Sequence, residues 1–428
     1  MRNNRLLMCM PYRQLTQKAA AAGFRVFSIW DPSLESAEYL ADVAEFSEEL
    51  VLTDFGDQAG LRRLVAELAT RHDPAHVLHL GSEATQLAVC EQAEAMGLAL
   101  NSSRSLAQIN DKAAMRALLS ERGLSPMISI KAGSPAEAEQ ILRERAELPM
   151  VVKPTRLDGS RAVHLIERPG DIDGWRQELA CLGYPGPVLI EEYLRGPEFS
   201  VESLTVHGTH HVIGITAKRL GRRPHFVETG HVHPAPLPGK ARTAITELVV
   251  AFLDATGYRF GPTHTEVILT AAGPRIVESQ ARLGGDRIPL LVELASGFDM
   301  EAAIFSALAG GQVEPPPAAR FGAISFFDFG AGYVRAIEGA HDVDRQPYVH
   351  ALKLKVAPGD VLKPVTSSST RHGYVVVAAE TVQQADGRLA DARARLNVVT
   401  GLDTEQPALA GRHCRHSFDD RKDGALTP

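Results

Sequence analysis

The chain has 428 residues, of which 44% are hydrophobic and 23% are charged, with a formal net charge of −7 at pH 7. This composition is typical of globular proteins, and the length allows about three domains of ordinary size. The acidic balance argues against a nucleic-acid partner, which would require a basic surface to neutralise phosphates. The four cysteines form no C-x-x-C pair, and neither a signal peptide nor a membrane span is apparent. We therefore expect a cytoplasmic protein without a membrane partner.

The first 105 residues alternate apolar runs with amphipathic stretches. Strands are predicted near residues 6–10, 25–30, 49–52, 76–80 and 99, and helices over 14–22, 60–71 and 83–96. This alternation predicts a parallel, Rossmann-like sheet. The turn after the first strand lacks the G-x-G-x-x-G pattern that holds a dinucleotide, which argues against a dehydrogenase. The tripeptide 81–83 could contact a substrate, although a helix cap made by Ser82 is the favoured interpretation.

Two lysines mark the next section. A helix predicted over residues 106–123 carries Lys112, which by itself would be an ordinary solvated residue. A strand over residues 149–154 carries Lys153 among apolar neighbours. An ammonium is costly to bury there unless a fixed anion neutralises it, so Lys153 indicates an anion site.

The loop that follows spans residues 155–161 and contains Gly159 and Ser160. Backbone N–H groups in a glycine-containing loop can surround a phosphate. A further strand is predicted over residues 188–194, and Glu198 precedes the next one.

A β-hairpin is predicted, with one strand over residues 266–269, a turn over 270–273 and a second strand that begins with 274–277. Glu266 and Glu278 stand on its two strands, where their side chains can face each other. Two like charges side by side are unfavourable unless a cation neutralises them. Gln280 adds a third oxygen to the same face, and hard oxygen ligands suit Mg²⁺. Arg282 continues that face and could hold a phosphoryl oxygen.

Residues 226–234 read F-V-E-T-G-H-V-H-P and follow a short basic cluster at 218–223, which suits an anion site or a solvated loop. A zinc site is disfavoured because the H-E-x-x-H pattern is absent. The nearby histidines are His225, His231 and His233. His264 is expected to share a strand face with the first hairpin carboxylate, where it either lines the same pocket or belongs to the core. Gly284 and Gly285 let the backbone approach a ligand closely.

A linker rich in glycine and proline follows residue 308 and separates the last section. Strands are predicted near residues 323–327, 349–355 and 374–379, with a helix over 381–396. This pattern indicates an α+β domain that closes the active site. The polar tail over residues 403–428 is predicted to be disordered.

Four of these motifs, in this order, resemble the ATP-grasp fold. The motifs N-D-K…M-R…G and V-V-K-P are similar to the segments that carry the two phosphate-binding lysines of that fold. The motif E-E-Y-L-x-G-x-E is similar to its adenine–ribose clamp, and E with E-x-Q-x-R is similar to its magnesium-binding end. The family has Asn where this chain has Gln280. The run F-x-E-x-G-H-x-x-P resembles the substrate loop of carboxylate–amine ligases that join amino acids, namely the L-amino-acid ligases and carnosine-synthase-like enzymes.

The resemblance implies a fold of class α/β and α+β in three domains. These are a Rossmann-like domain over residues 1–105, an ATP-grasp domain over 106–312 with a mobile lid over 113–190, and an α+β cap domain over 313–402.

The resemblance also implies roles for individual residues. ATP would be bound by Lys112, Lys153, Gly159, Ser160, Glu191, Glu192, Tyr193, Leu194 and Glu198. Two Mg²⁺ ions, for which Mn²⁺ could substitute, would be held by Glu266, Glu278 and Gln280. Catalysis would use Arg282 for the acyl phosphate, Glu228 for a substrate ammonium and His231 beside the reacting carboxylate. The substrate site would also include His264, Gly284 and Gly285.

These roles imply an ATP-dependent carboxylate–amine ligase that forms an amide bond through an acyl phosphate and releases ADP and phosphate. Its substrates would be a small carboxylate and an amine, with a dipeptide as the preferred product, and a homodimer is plausible by resemblance. Two alternatives stay open. An ATP-grasp carboxylase or formate-activating enzyme is opposed by the loop that reads an ammonium. A non-catalytic ATP-binding protein is opposed by the joint presence of the lysines, carboxylates and arginine.

Overall fold

The computed structural model describes residues 3–144, 147–157, 159–221 and 226–401. His225 and the tail over residues 403–428, for which the sequence predicts disorder, lie outside these ranges. None of the helices within them is long and apolar enough to cross a membrane.

In these described ranges the chain forms nineteen strands and thirteen α-helices. The strands are β1 Arg5–Cys9, β2 Arg25–Trp30, β3 Glu49–Leu52, β4 His76–His79, β5 Ser129–Ala132, β6 Met150–Pro154, β7 His164–Ile166, β8 Val188–Glu192, β9 Glu198–Val206, β10 Thr209–Leu220, β11 Glu228–His233, β12 Gly261–Thr270, β13 Gly273–Gln280, β14 Phe321–Phe326, β15 Gly332–Glu338, β16 Val349–Leu354, β17 Val361–Leu362, β18 Gly373–Ala379 and β19 Asn397–Gly401. The helices are α1 Arg13–Ala21, α2 Ala37–Ala44, α3 Gln58–His72, α4 Glu83–Ala95, α5 Ser103–Asn110, α6 Lys112–Glu121, α7 Pro135–Glu144, α8 Asp171–Cys181, α9 Gly239–Thr256, α10 Ile288–Ser296, α11 Met300–Leu308, α12 Ala340–Asp344 and α13 Val382–Arg395.

The N-terminal section is a parallel sheet, which confirms the sequence prediction. Its strand order is β3-β2-β1-β4, and helices connect successive strands. The apolar strand residues fill its core, where Leu6 and Ile29 are fully buried. The sequence analysis missed α2, a short helix whose first turn is capped by the side chain of Ser36.

The single helix predicted over residues 106–123 is wrong, because two helices, α5 and α6, meet at Asp111. Asp111 has an extended backbone, and its carboxylate accepts hydrogen bonds from the N–H groups of Ala113 and Ala114. An aspartate in this position starts a new helix by satisfying its first N–H groups. The break makes Lys112 the first residue of α6, where its side chain is largely buried.

The largest sheet has eight antiparallel strands in the order β13-β12-β9-β10-β11-β14-β18-β16. The predicted hairpin, β12 with β13, forms one end of this sheet. The three strands predicted for the last section are β14, β16 and β18, and they extend this same sheet. Leu291 of α10, Ile324 and Val376 share one fully buried cluster. The C-terminal section is therefore continuous with the central section in both sheet and core.

A second four-stranded sheet, in the order β5-β8-β6-β7, carries part of the predicted lid. Helices α7 and α8 cover it, and Trp175 of α8 is fully buried in its core. Helix α6, at the start of the predicted lid, lies elsewhere, because its Met115 packs in the same cluster as Phe252 of α9.

Candidate functional site

Residues from the N-terminal, central and C-terminal sections line one cavity of about 1370 Å³. The eighteen site residues predicted from the sequence all lie on its wall: Lys112, Lys153, Gly159, Ser160, Glu191, Glu192, Tyr193, Leu194, Glu198, Glu228, His231, His264, Glu266, Glu278, Gln280, Arg282, Gly284 and Gly285. The structure therefore brings together residues that lie as far apart in the sequence as Lys112 and Gly285. It also adds Ser368 and Arg371 from the C-terminal section.

The hairpin carboxylates stand directly opposite each other. Glu266 and Glu278 are cross-strand partners of β12 and β13. The Lys112 Nζ lies 3.0 Å from Glu278 Oε1, and the Lys218 Nζ lies 2.7 Å from Glu266 Oε1. Gln280 donates its amide N–H to Glu278, while its Oε1 is buried and has no hydrogen-bond partner among the described residues. A buried acceptor beside two carboxylates fits a bound cation.

Lys153 lies at the centre of a buried ion-pair network. Its Nζ is 2.7 Å from Glu191 Oε2, and Arg116 contacts the other oxygen of Glu191. Burial alone would raise the pKa of Glu191, but Lys153 and Arg116 outweigh it and lower that pKa to about 2. The Lys153 Nζ also donates to the carbonyl of Val277, 3.2 Å away, which brings it to the hairpin.

These contacts change the role predicted for Glu191. Its side chain is 4% exposed and is held by Lys153 and Arg116, so it does not present a free carboxylate to an adenine edge. The structure makes Glu191 the residue that positions Lys153.

Lys218 is the centre of a second network, which the sequence analysis missed. Its Nζ lies 2.6 Å from Glu198, 3.2 Å from Glu228 and 2.7 Å from Glu266. Its side chain is 4% exposed. The basic cluster at residues 218–223 was interpreted as an anion site or a solvated loop, whereas its first lysine still belongs to β10 and points into the cavity. The sequence does carry a signal for Lys218, because residues 210–216 have a strand pattern and Lys218 follows two residues later without a turn residue between them.

Arg282 is held by a residue of the N-terminal section. Its Nε donates to Glu83 Oε1 at 2.6 Å. Burial would raise the pKa of Glu83, but Arg282 and Lys112 outweigh it, so this pKa is lowered. Ser82 accepts a hydrogen bond from the N–H of Ala84, as expected of a cap. The cap predicted at Ser82 is therefore confirmed, whereas substrate contact by the tripeptide 81–83, which lines the cavity, stays a prediction.

His264 contacts Glu202, which is fully buried on β9. The His264 Nδ1 is 2.7 Å from Glu202 Oε1. Burial would lower the pKa of His264, but Glu202 and Glu266 outweigh it and raise the pKa to about 9. Gly284 makes room for this pair, because a Cβ built there would lie 2.8 Å from Glu202 Oε2 and 2.9 Å from His264 Nδ1. His264 therefore lines the cavity and is held there by its contact with Glu202.

The C-terminal section closes the cavity over the predicted substrate loop. Arg371 contacts both oxygens of Asp286, and the His231 Nε2 lies 3.0 Å from Asp286 Oδ2. Ser368 Oγ donates to Glu228 Oε2 at 3.2 Å, and its backbone N–H donates to the carbonyl of Gly159 at 3.2 Å. The sequence carried no motif for Ser368 or Arg371, because their position depends on how the C-terminal strands join the large sheet.

Comparisons with known proteins agree with this architecture. Residues 146–289 match the ATP-grasp domain family, and residues 325–401 match the family described as L-amino acid ligase C-terminal domain 2. An L-amino acid ligase structure from Bacillus licheniformis superposes with a TM-score of 0.80, covering 94% of this chain and 100% of that chain at 21% identity.

Two curated relatives also align with parts of the chain. Protein y4rH of Sinorhizobium fredii is 30% identical over 291 residues, which are 66% of this chain and 59% of that protein. Dapdiamide A synthase of Enterobacter agglomerans is 26% identical over 194 residues, which are 44% of this chain and 45% of that protein. The chain thus spans about half the length of the curated relatives it matches.

Residues 146–289 thus form an ATP-grasp domain, and the chain has the fold of ATP-grasp ligase structures; enzymes with this domain use ATP with a divalent cation such as Mg²⁺. The C-terminal domain matches that of L-amino acid ligases, and the whole fold is similar to the fold of such a ligase.

Proposed function

We propose that this protein is an ADP-forming carboxylate–amine ligase, which activates a small carboxylate as an acyl phosphate and joins it to an amine. The preferred product is a dipeptide or an amino-acid conjugate. The observation that carries the proposal is a single cavity in which two lysines, two facing carboxylates and Arg282 converge.

The nucleotide would occupy the part of the cavity between β6, β8 and the hairpin. Lys112 and Lys153 are already neutralised by Glu278 and Glu191, so both can exchange part of that pairing for phosphate oxygens. The backbone N–H groups of Glu192 and Tyr193 donate hydrogen bonds to the carbonyls of Ile128 and Pro149. Leu194 follows them, and its backbone N–H donates to no backbone carbonyl of the described residues. We assign this N–H to the adenine edge. Glu198 would accept hydrogen bonds from the ribose.

Glu266, Glu278 and the unpaired Oε1 of Gln280 would hold the magnesium, and we propose two ions. When bound, Mg²⁺ neutralises charge on the β- and γ-phosphates. Gln280 is one methylene longer than the Asn of the family motif, yet its oxygen stays beside the carboxylates because its amide N–H is anchored to Glu278.

The residues of the chain then perform the ligation. The substrate carboxylate attacks the γ-phosphorus, which gives an acyl phosphate and ADP. Arg282, held in place by Glu83, stabilises the negative charge that develops on this intermediate. The contact between Ser368 and Gly159 covers the site and keeps water from hydrolysing the acyl phosphate. An amine displaces the phosphate and forms the amide.

The direct test measures ADP release with ATP and Mg²⁺ over a panel of amino-acid pairs, with product masses determined by mass spectrometry. ADP is expected to accumulate only when both a carboxylate and an amine are present. ATP turnover that no carboxylate changes would reject the proposal. Bicarbonate-dependent ADP release would instead favour the carboxylase alternative.

We expect Arg282→Lys to lower kcat by about 10²–10³-fold, because a lysine cannot reproduce the guanidinium fork at the developing charge. The same assay measures this effect. Arg219→Lys is the matched control, because Arg219 pairs with Asp386 and lies outside the wall of the cavity. Equal activity of the two variants would contradict the role given to Arg282.

A further inference from the structure

His231, Asp286 and Arg371 form a buried chain of polar contacts that reaches the cavity wall. His231 is 1% exposed, and Arg371 is 5% exposed. Arg371 contacts both oxygens of Asp286, and one of these oxygens also meets the His231 Nε2 at 3.0 Å. The guanidinium of Arg371 also stacks on the ring of Phe326, with its carbon 3.6 Å from the ring centroid. The C-terminal section thus fixes Asp286, and Asp286 fixes the imidazole.

This arrangement determines which nitrogen of His231 can accept a proton. Burial would raise the pKa of Asp286, but Arg371 and His231 outweigh it and hold that pKa well below its usual range. An ionised carboxylate only accepts hydrogen bonds, so the Nε2 of His231 must carry a hydrogen. In the neutral ring, Nδ1 then carries the lone pair. Nδ1 is buried and makes no hydrogen bond to any described residue.

Charged and aromatic side chains of the neighbouring strands surround His231. Lys218 is its cross-strand partner on β10, and Glu228, three residues before it on β11, reaches the ammonium of Lys218 at 3.2 Å. From β14 it meets Phe326 edge-on, with ring centroids 5.5 Å apart. The charged groups that face His231 are therefore Lys218, Glu228, Asp286 and, through Asp286, Arg371.

We propose that the Nδ1 of His231 is the general base for the attacking amine, with Asp286 and Arg371 as its positioning residues; this inference rests on the proposed ligase function. As the amine nitrogen bonds to the acyl carbon, the bond from that carbon to the phosphate oxygen breaks and inorganic phosphate leaves. The acceptor ammonium loses two protons in all, of which the second leaves with the phosphate as the amide forms. The first passes to Nδ1 before the attack, and the resulting imidazolium is stabilised by the Asp286 carboxylate. The proton then passes to solvent or to the departing phosphate.

The test separates activation of the acid from transfer to the amine. Hydroxylamine is already unprotonated near neutral pH, so it traps an acyl phosphate as a hydroxamate without a base. In Asp286→Asn we expect amide formation to fall by about 10²-fold or more, because a positioned base contributes about 10²–10⁴-fold. Hydroxamate formation should stay within about threefold of the wild-type rate. This margin is small compared with the loss of about 10²-fold or more expected for amide formation. The amide rate should recover as the pH rises toward the pKa of the acceptor amine, because the free amine then needs no base.

Two further variants guard against misfolding. Asp286→Asn combined with Arg371→Gln removes both charges and leaves neither unpaired, and it should show the same selective loss. Asp386→Asn also removes the partner of an arginine, Arg219, but outside the cavity, and it should change neither rate. Equal loss of hydroxamate and amide, or an amide loss that is the same at every pH, would overturn the proposal. Absence of hydroxamate in the wild-type protein would instead reject the proposed function itself.

Discussion

At the scale of single residues, buried lysines organise the site, because each forms ion pairs with carboxylates that are assigned different roles. Lys218 is the strongest case, since its ammonium meets Glu198, Glu228 and Glu266. These residues are assigned to the ribose, the substrate and the metal, so one side chain connects all three. Its position between them explains how three like charges can lie together in a buried wall.

Lys218→Met tests this role. We expect the free energy of unfolding to fall by about 3–5 kcal/mol, because the substitution leaves buried carboxylates without their cation. Urea unfolding followed by circular dichroism measures the change. Millimolar Mg²⁺ should recover part of the loss, since a cation beside Glu266 replaces some of the missing charge. Lys240→Met, at an exposed position, is the control, and a loss below about 1 kcal/mol, typical of an exposed site, would show that Lys218 is not needed to neutralise the cluster.

His79 gives the fold a pH dependence of its own. Its Nδ1 accepts from the N–H of Gly81 at 3.1 Å, and its Nε2 lies 2.8 Å from Thr85 Oγ1, so the neutral ring fits this site. Burial lowers the pKa of His79 to about 4, although Glu83 raises it in part. The folded state therefore resists protonation that the unfolded chain accepts near its ordinary pKa of 6.5.

The expected consequence is a loss of stability on acidification. The contribution of His79 is fully present above about pH 6.5 and is lost as the pH falls toward 4, by up to about 3 kcal/mol. His79→Gln should be less stable at neutral pH but should show a shallower decline over that window. Unfolding free energies from urea titrations at several pH values check this. Parallel curves for the two proteins would contradict it.

At the scale of elements, the sequence predicted most of the strands and the hairpin, because each carries its own periodicity. The residues Glu266, Glu278 and Gln280 could be found for that reason: a strand puts alternate residues on one face. The break at Asp111 was missed because an aspartate inside a helical pattern becomes a cap only through its own backbone geometry. Arg371 could not be found at all, since its contact with Asp286 depends on β14 and β18 joining the large sheet.

The loop after β13 illustrates how an element limits its own sequence. A Cβ on Gly284 would come within 3 Å of Glu202 and His264, whereas a Cβ on Gly285 would have no atom within 4 Å. We expect Gly284→Ala to lower the free energy of unfolding by about 1–3 kcal/mol, the usual cost of forcing atoms into a packed site. Gly285→Ala is the matched control for stability. Similar unfolding curves for the two variants would contradict this account of the loop.

At the scale of the whole molecule, the central and C-terminal sections share one sheet. Strand β14 pairs with β11 over four residue pairs, and β18 pairs with β14 over six. The cavity also depends on both sections, because Arg371 and Ser368 reach back to Asp286 and Glu228. A domain limit at residue 312 therefore divides the sequence but not the sheet.

A chain that ends at residue 312 should consequently fail to fold cooperatively. It would leave β11 as an unpaired edge and would expose Leu291, which is fully buried against β14 and β18 in the intact protein. We expect it to aggregate or to unfold in urea without a sharp transition, as followed by circular dichroism and size-exclusion chromatography. A chain that ends at residue 402 keeps every described strand and should unfold with the same midpoint as the full chain. If the 312-residue chain unfolded in a sharp transition of its own, the two sections would be independent domains, and the C-terminal residues would reach the cavity only by docking.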